Sequence, residues 1–326
     1  MSRVLVTGAN GFVGRALCAT LSRHGHNVTA LVRRGSVGLD AVREWHHEAA
    51  DFVGLQEAWL SDLAPDCVVH LAARVHVMRD DAPDPVAAFH ATNVEGTLRV
   101  ARAALARGAR RVVFVSSIKA VAEVDGGVPL TESVPPMPLD PYGLSKRAAE
   151  EALWRLGEET GLEVVIVRPP LVYGPGVGAN FLQMMDVLWR GVPLPLGSVN
   201  ARRSLVYTEN LADALMHCIT DPRAANACFH VADADDLSVA QLLRGLGRHL
   251  SKPARLIPVP TALLRVAGVL TGRAAQLERL TSSLRVDGTL IHEWLGWQPP
   301  FTVEEGLEAT ARWYRATHGI RGDRTR

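Results

Sequence analysis

Residues 3–21 read RVLVTGANGFVGRALCATL. A short β-branched run meets three glycines and then apolar residues at helical spacing, which predicts a strand, a tight turn and an amphipathic helix. The same alternation continues outward along the chain: NVTALV, CVVHLAA, RVVFVSS and EVVIVRP are separated by Ala-, Leu- and Arg-rich segments of helical length. These runs are apolar throughout rather than alternating, as expected of strands covered on both faces. The pattern predicts an α/β fold, a Rossmann-type doubly wound parallel sheet. After VRPPLVYGPG (167–176) the regularity weakens and Gly, Pro and loop signals accumulate. That places a Rossmann domain over 1–172, with 203–222 returning to it, and a smaller interleaved substrate-binding region over 173–326.

At 326 residues the chain is long enough to bury a substantial core. Its 35 basic and 34 acidic side chains nearly cancel, so no global field favours nucleic acid, and any anion must be held locally. Cys18, Cys67, Cys218 and Cys228 lack metal-ligand spacing and lie in apolar stretches, which points to a reducing compartment and to no metal. No signal-peptide pattern precedes residue 3, so a cytoplasmic protein is expected. The stretch TALLRVAGVLTG (261–272) contains Arg265 and is too short to span a bilayer. It reads as a core or peripheral helix, with weak membrane association left open.

Gly8, Gly11 and Gly14 follow a GxxGxxG spacing. A glycine turn at a helix N-terminus lets the backbone approach a pyrophosphate. Glycines that merely permit a tight turn would look the same, but the place on the first βα unit favours a dinucleotide. At the end of the second strand stand Arg33 and Arg34, where an acid would accept from a ribose hydroxyl and an arginine would neutralise a 2′-phosphate. They favour NADP(H); two solvated arginines and NAD(H) form the competing reading. Asp51, after a degenerate third strand, is a candidate for the adenine edge or an ordinary loop aspartate.

PYGLSK (141–146) puts Tyr142 and Lys146 one turn apart on one helical face. A buried ammonium beside a phenol favours phenolate, so a tyrosine pKa drawn down from about 10 towards neutrality is expected. Such a tyrosine exchanges a proton with a substrate oxygen. VVFVSS (112–117) supplies Ser116 and Ser117 at a strand end, and Ser117 is the choice for holding the reacting oxygen.

With TGANGFVG, HLAA, TNVEGT, FVSS, PYGLSK, VRPPLVYGPG, LADAL and LGWQPPFTVEEGL in this order, nearly the whole chain resembles the extended short-chain dehydrogenase/reductase family of NAD-dependent epimerase/dehydratase type. The resemblance implies a triad of Ser117, Tyr142 and Lys146, with Lys146 also on the nicotinamide ribose. It implies further cofactor contacts from Gly8, Asn10, Gly11, Phe12, Val13 and Gly14, from Leu71, Ala72 and Ala73, and from Pro169 beside the nicotinamide. Asn93 would support the geometry of the site. A homodimer built on a four-helix bundle is also implied.

Within the family, dehydratases carry an acid pair just after the strand-end hydroxyl, where this chain has Ile118 and Lys119. HLAARVHVM, VSSIK and the segment 221–247 are most similar to NADPH-dependent reductases of UDP-4-keto-6-deoxy-N-acetylhexosamines, which serve surface-polysaccharide synthesis. UDP-glucose or UDP-N-acetylglucosamine 4-epimerases with retained NAD are the alternative. By the same likeness Arg203 and Asn180 would hold the diphosphate and His76 would line the sugar pocket, with Arg285 a weaker second phosphate contact; Arg203, Asn180 and His76 as structural loop residues are the competing reading. A reductase of hydrophobic ketones would share the triad without needing Arg203 or Asn180. A non-catalytic NADP-binding protein would have no need to keep Ser117, Tyr142 and Lys146 together.

Overall fold

The computed structural model describes residues 1–75, 83–272 and 274–319. In chain order the first elements are β1 (Arg3–Thr7), α1 (Phe12–Arg23), β2 (Asn27–Val32), β3 (Arg43–His46), β4 (Cys67–His70), α2 (Pro85–His90), α3 (Gly96–Leu105) and β5 (Arg111–Val115). They are followed by α4 (Pro141–Thr160), β6 (Glu163–Arg168), β7 (Leu171–Tyr173), α5 (Ala179–Trp189), β8 (Arg202–Arg203), β9 (Leu205–Tyr207), α6 (Thr208–Thr220) and β10 (Ala227–His230). The last are β11 (Leu237–Ser238), α7 (Val239–His249), α8 (Thr261–Leu270), α9 (Ala274–Thr281), α10 (Thr289–Leu295) and α11 (Val303–Tyr314).

Seven parallel strands form the main sheet in the order β10-β6-β5-β4-β1-β2-β3. The chain reverses its winding between β1 and β4, and such a switch point opens a crevice beyond the carboxyl ends of the strands. Alternate residues of each strand fill two separate cores. Val4, Val6, Val113 and Val165 pack with Leu17, Leu21 and Leu215 on one face, while Leu5, Val68, Val112 and Val164 pack with Val100 and Leu153 on the other. Both faces are therefore covered by helices, which is why the inner strands carry apolar residues on both faces along most of their length.

α6 packs against α1, and β10 then joins the sheet edge beside β6. Ile291, Leu295 and Trp297 close the same core. A third cluster, around Tyr173, Phe181, Leu205, Leu243, Leu246, Leu307 and Tyr314, joins β7, α5, β9, α7 and α11. The four cysteines are free, and burial pushes each thiol up to about 12. No helix among the described residues is long and apolar enough to cross a membrane.

Candidate active site

The glycine turn creates a close approach. Gly8 has φ +64°, and a Cβ there would lie 2.8 Å from the Ala72 amide nitrogen. Only glycine suits both the left-handed backbone and the contact with the segment that follows β4. At Gly14 a Cβ would fall 2.6 Å from the Ala9 carbonyl, so this glycine lets α1 start directly on the turn. Gly11 caps α1 with no side-chain hydrogen bond, and the first turn holds no acid. Its free amides and positive dipole end remain available to an anion.

A cleft of about 760 Å³ runs from this turn across the carboxyl ends of the strands. Gly8, Asn10, Gly11, Phe12, Val13, Gly14, Arg33, Leu71, Ala72, Ala73, Ser117, Tyr142, Lys146 and Pro169 all border it. Arg34 stands outside, its carbonyl accepting from Asn10 Nδ2 at 2.6 Å. No carboxylate borders the cleft among the described residues, whereas Arg33, Arg74 and Lys146 do. Asp51 is turned to Arg99, whose guanidinium meets its carboxylate at 3.2 Å and its carbonyl at 2.8 Å. The neighbouring Ala49, Ala50 and Phe52 form the wall instead.

Sequence reasoning passes over that wall. His47 and Phe52 border the cleft with rings 4° from parallel, and His47 Nε2 is buried without a hydrogen-bond partner among the described residues. Phe52 holds φ +60°, a conformation uncommon for a bulky residue and frequent at ligand-binding sites. Neither glycine nor asparagine marks this bend, so the sequence carries little signal for it.

At the other end, Gly143 allows the turn after β5 to lie against the first turn of α4, since a Cβ there would overlap the Lys119 carbonyl. Asp140 caps α4 through Gly143 N at 2.6 Å and is held in an ion pair by Lys119. This packing brings Ser117 to Tyr142. Desolvation pushes the Tyr142 phenol up to about 12, against a hydrogen bond with Ser117 that favours the ionised form. Lys146 is buried, donates to the Val115 carbonyl at 2.9 Å and lies 4.5 Å from the Phe114 ring centre. Burial lowers its pKa to about 7. The expected shift of Tyr142 towards neutrality is therefore not found: the ammonium is spent on Val115, and desolvation of the phenol dominates. Ser116 Oγ also borders the cleft, buried and without a partner among the described residues.

Asn93 does not reach the cleft. It sits in a π turn, Ala91–Glu95, between α2 and α3, a distortion often found near functional sites. Its Oδ1 accepts from Arg74 N at 2.7 Å, and its Nδ2 donates to Arg74 O at 3.0 Å and Ser145 Oγ at 2.9 Å. Ser145 Oγ in turn donates to the Tyr142 carbonyl at 2.8 Å. One buried amide thus ties the cleft wall to the helix carrying the tyrosine.

The residues expected on the diphosphate lie apart from the cleft lining. Arg203 is half-buried on β8 and donates to the Ser282 carbonyl at 3.3 Å, with burial lowering its pKa. Asn180 is exposed in the first turn of α5. Arg285 is committed to Asp125 at 2.6 Å. His76 lies outside the described residues.

Residues 4–232 match the model of the NAD dependent epimerase/dehydratase family. A UDP-glucose 4-epimerase of Vibrio cholerae is 39% identical, with 95% of this chain and 94% of that protein aligned. A UDP-2-acetamido-2,6-beta-L-arabino-hexul-4-ose reductase of Pseudomonas aeruginosa is 34% identical over 75% of this chain and 56% of that protein. The fold is similar to that of a Thermotoga maritima UDP-glucose 4-epimerase, with TM-score 0.78, 24% identity, and 97% and 99% of the two chains covered. By these matches the chain belongs to the NAD-dependent epimerase/dehydratase family of extended short-chain dehydrogenase/reductases, enzymes of nucleotide-sugar epimerisation and reduction.

Proposed function

We propose that the protein is an NADPH-dependent reductase acting at C4 of a UDP-4-keto-6-deoxy-N-acetylhexosamine. The observation that carries this reading is the charge of the cleft: Arg33 borders its end at β2, and no carboxylate does among the described residues. A ribose 2′-hydroxyl is best received by an acid there, a 2′-phosphate by a guanidinium. The bound dinucleotide supplies the hydride, and the chain's own groups do the rest. The turn of Gly8, Gly11 and Gly14 cradles the pyrophosphate, Leu71 to Ala73 flank it, and Lys146 reaches the nicotinamide ribose. Ser117 holds the substrate carbonyl oxygen, and Tyr142, kept protonated by desolvation, donates to that oxygen as it becomes a hydroxyl. Arg203 and Asn180 are assigned to the diphosphate and His76 to the sugar.

The similarity to the Vibrio cholerae epimerase favours a second reading, a UDP-sugar 4-epimerase that keeps NAD and returns the hydride to the opposite face of C4. Nicotinamide fluorescence titrations separate the two. Tighter binding of NADPH than NADH, by about tenfold or more, is expected for a 2′-phosphate on Arg33. Equal affinities, or a preference for NADH, would favour the epimerase.

A further inference from the structure

The region from Lys252 to Thr281 differs from the rest of the surface. α8 buries only Leu264 and Gly268, and a Cβ at Gly268 would lie 2.8 Å from Leu277, so α9 folds back tightly against it. The outer side of this hairpin is apolar and exposed. Leu270 is 81% accessible and Val269 71%, and Leu263, Val266 and Ile257 are each at least half exposed. Isolated exposed leucines need no explanation, but a contiguous patch of them does.

Charge indicates what covers it. Residues 252–281 contain five cations, Lys252, Arg255, Arg265, Arg273 and Arg279, against one carboxylate, Glu278, in a chain whose overall charge is +1. Exposed apolar side chains on a segment of net positive charge match the boundary between anionic headgroups and acyl chains. A second copy of this face would bring like charges together across a two-fold axis, which disfavours self-association. With only ten residues, α8 is too short to span and suited to lying in the interface.

We infer that the α8–α9 hairpin docks the enzyme on an anionic membrane surface, with Leu263, Val266, Val269 and Leu270 entering the headgroup region. Ser282, which follows the hairpin, accepts from Arg203, so docking would set the smaller region against the bilayer. The inference stands apart from the choice between reductase and epimerase.

The test is co-sedimentation of the full chain with vesicles of phosphatidylglycerol and phosphatidylcholine, and with phosphatidylcholine alone. Binding to the anionic vesicles, weakened by salt and reduced about tenfold or more in Val266→Glu and Leu270→Glu, is the expected result. Both positions are exposed, and an unchanged melting temperature shows that the variants fold. No binding to the anionic vesicles would overturn the inference, as would binding indifferent to the two substitutions. Discovery that the substitutions dissolve a dimer while lipid binding is absent would assign the face to a second copy.

Discussion

Glu150 and Arg168 meet inside the protein through two hydrogen bonds, Nε to Oε1 at 2.9 Å and Nη2 to Oε2 at 2.6 Å. Glu150 has no exposed surface and Arg168 only 4%. Tyr142, Lys146 and Glu150 follow one another at intervals of four along α4, and Arg168 immediately precedes Pro169 at the cleft. The pair therefore fixes the helix bearing Tyr142 to the strand end that borders the cleft. The Glu150 carboxylate also raises the Lys146 pKa against the larger effect of burial.

Removing one partner leaves a buried charge uncompensated. Glu150→Gln is expected to lower stability by about 3–5 kcal/mol, whereas the double replacement Glu150→Met with Arg168→Met should recover most of that loss. Urea unfolding of the three proteins checks this. Additive losses in the double variant would contradict the coupling.

Lys146 makes stability depend on pH. Unfolded, it titrates near 10.5; folded, at about 7. Between these values the unfolded chain binds a proton that the folded chain does not. The stability it contributes is thus fully present above 10.5 and is lost as pH falls to about 7. Lys146→Met should raise stability near neutral pH by up to about 5 kcal/mol, less what the lost hydrogen bond to the Val115 carbonyl contributes, while abolishing activity, with the gain shrinking as pH approaches the unfolded value. Melting curves across that range read the sign directly. A gain that grows with pH would refute it.

Asn93 acts through others, on Arg74 and Ser145. Asn93→Ala is expected to lower kcat about tenfold while changing cofactor affinity by less than about twofold, because it loosens the helix bearing Tyr142 and not the glycine turn. Equal losses in affinity and kcat would point to general unfolding instead.

Arg33→Ala should weaken NADPH binding about 10- to 100-fold and leave NADH nearly unchanged, since under the proposed function the guanidinium would meet only the extra phosphate. A parallel loss for both nucleotides would place Arg33 elsewhere on the cofactor.

Much of the architecture is legible in the sequence because the inner strands are buried on both faces and so read as unbroken apolar runs. β3 and β10 are less visible. REWH is short and half-exposed at one edge, and ACFH lies at the other edge beyond a helix that leaves the usual alternation. The glycine turn and Tyr142–Lys146 depend on local spacing, which sequence shows. The wall of His47 and Phe52 depends on a left-handed bend that no glycine announces, and Glu150–Arg168 on a contact 18 residues apart. The direction of the Tyr142 shift depends on where the ammonium points, which spacing alone cannot give.

The most direct measurement follows nicotinamide absorbance in the near ultraviolet when the purified protein meets NADPH and a UDP-4-keto-6-deoxy-N-acetylhexosamine. NADPH should disappear in step with the reduced sugar, and Tyr142→Phe should slow this by about a thousandfold. Stable NADPH absorbance, together with interconversion of UDP-sugar C4 epimers without added cofactor, would contradict net reduction and establish an epimerase.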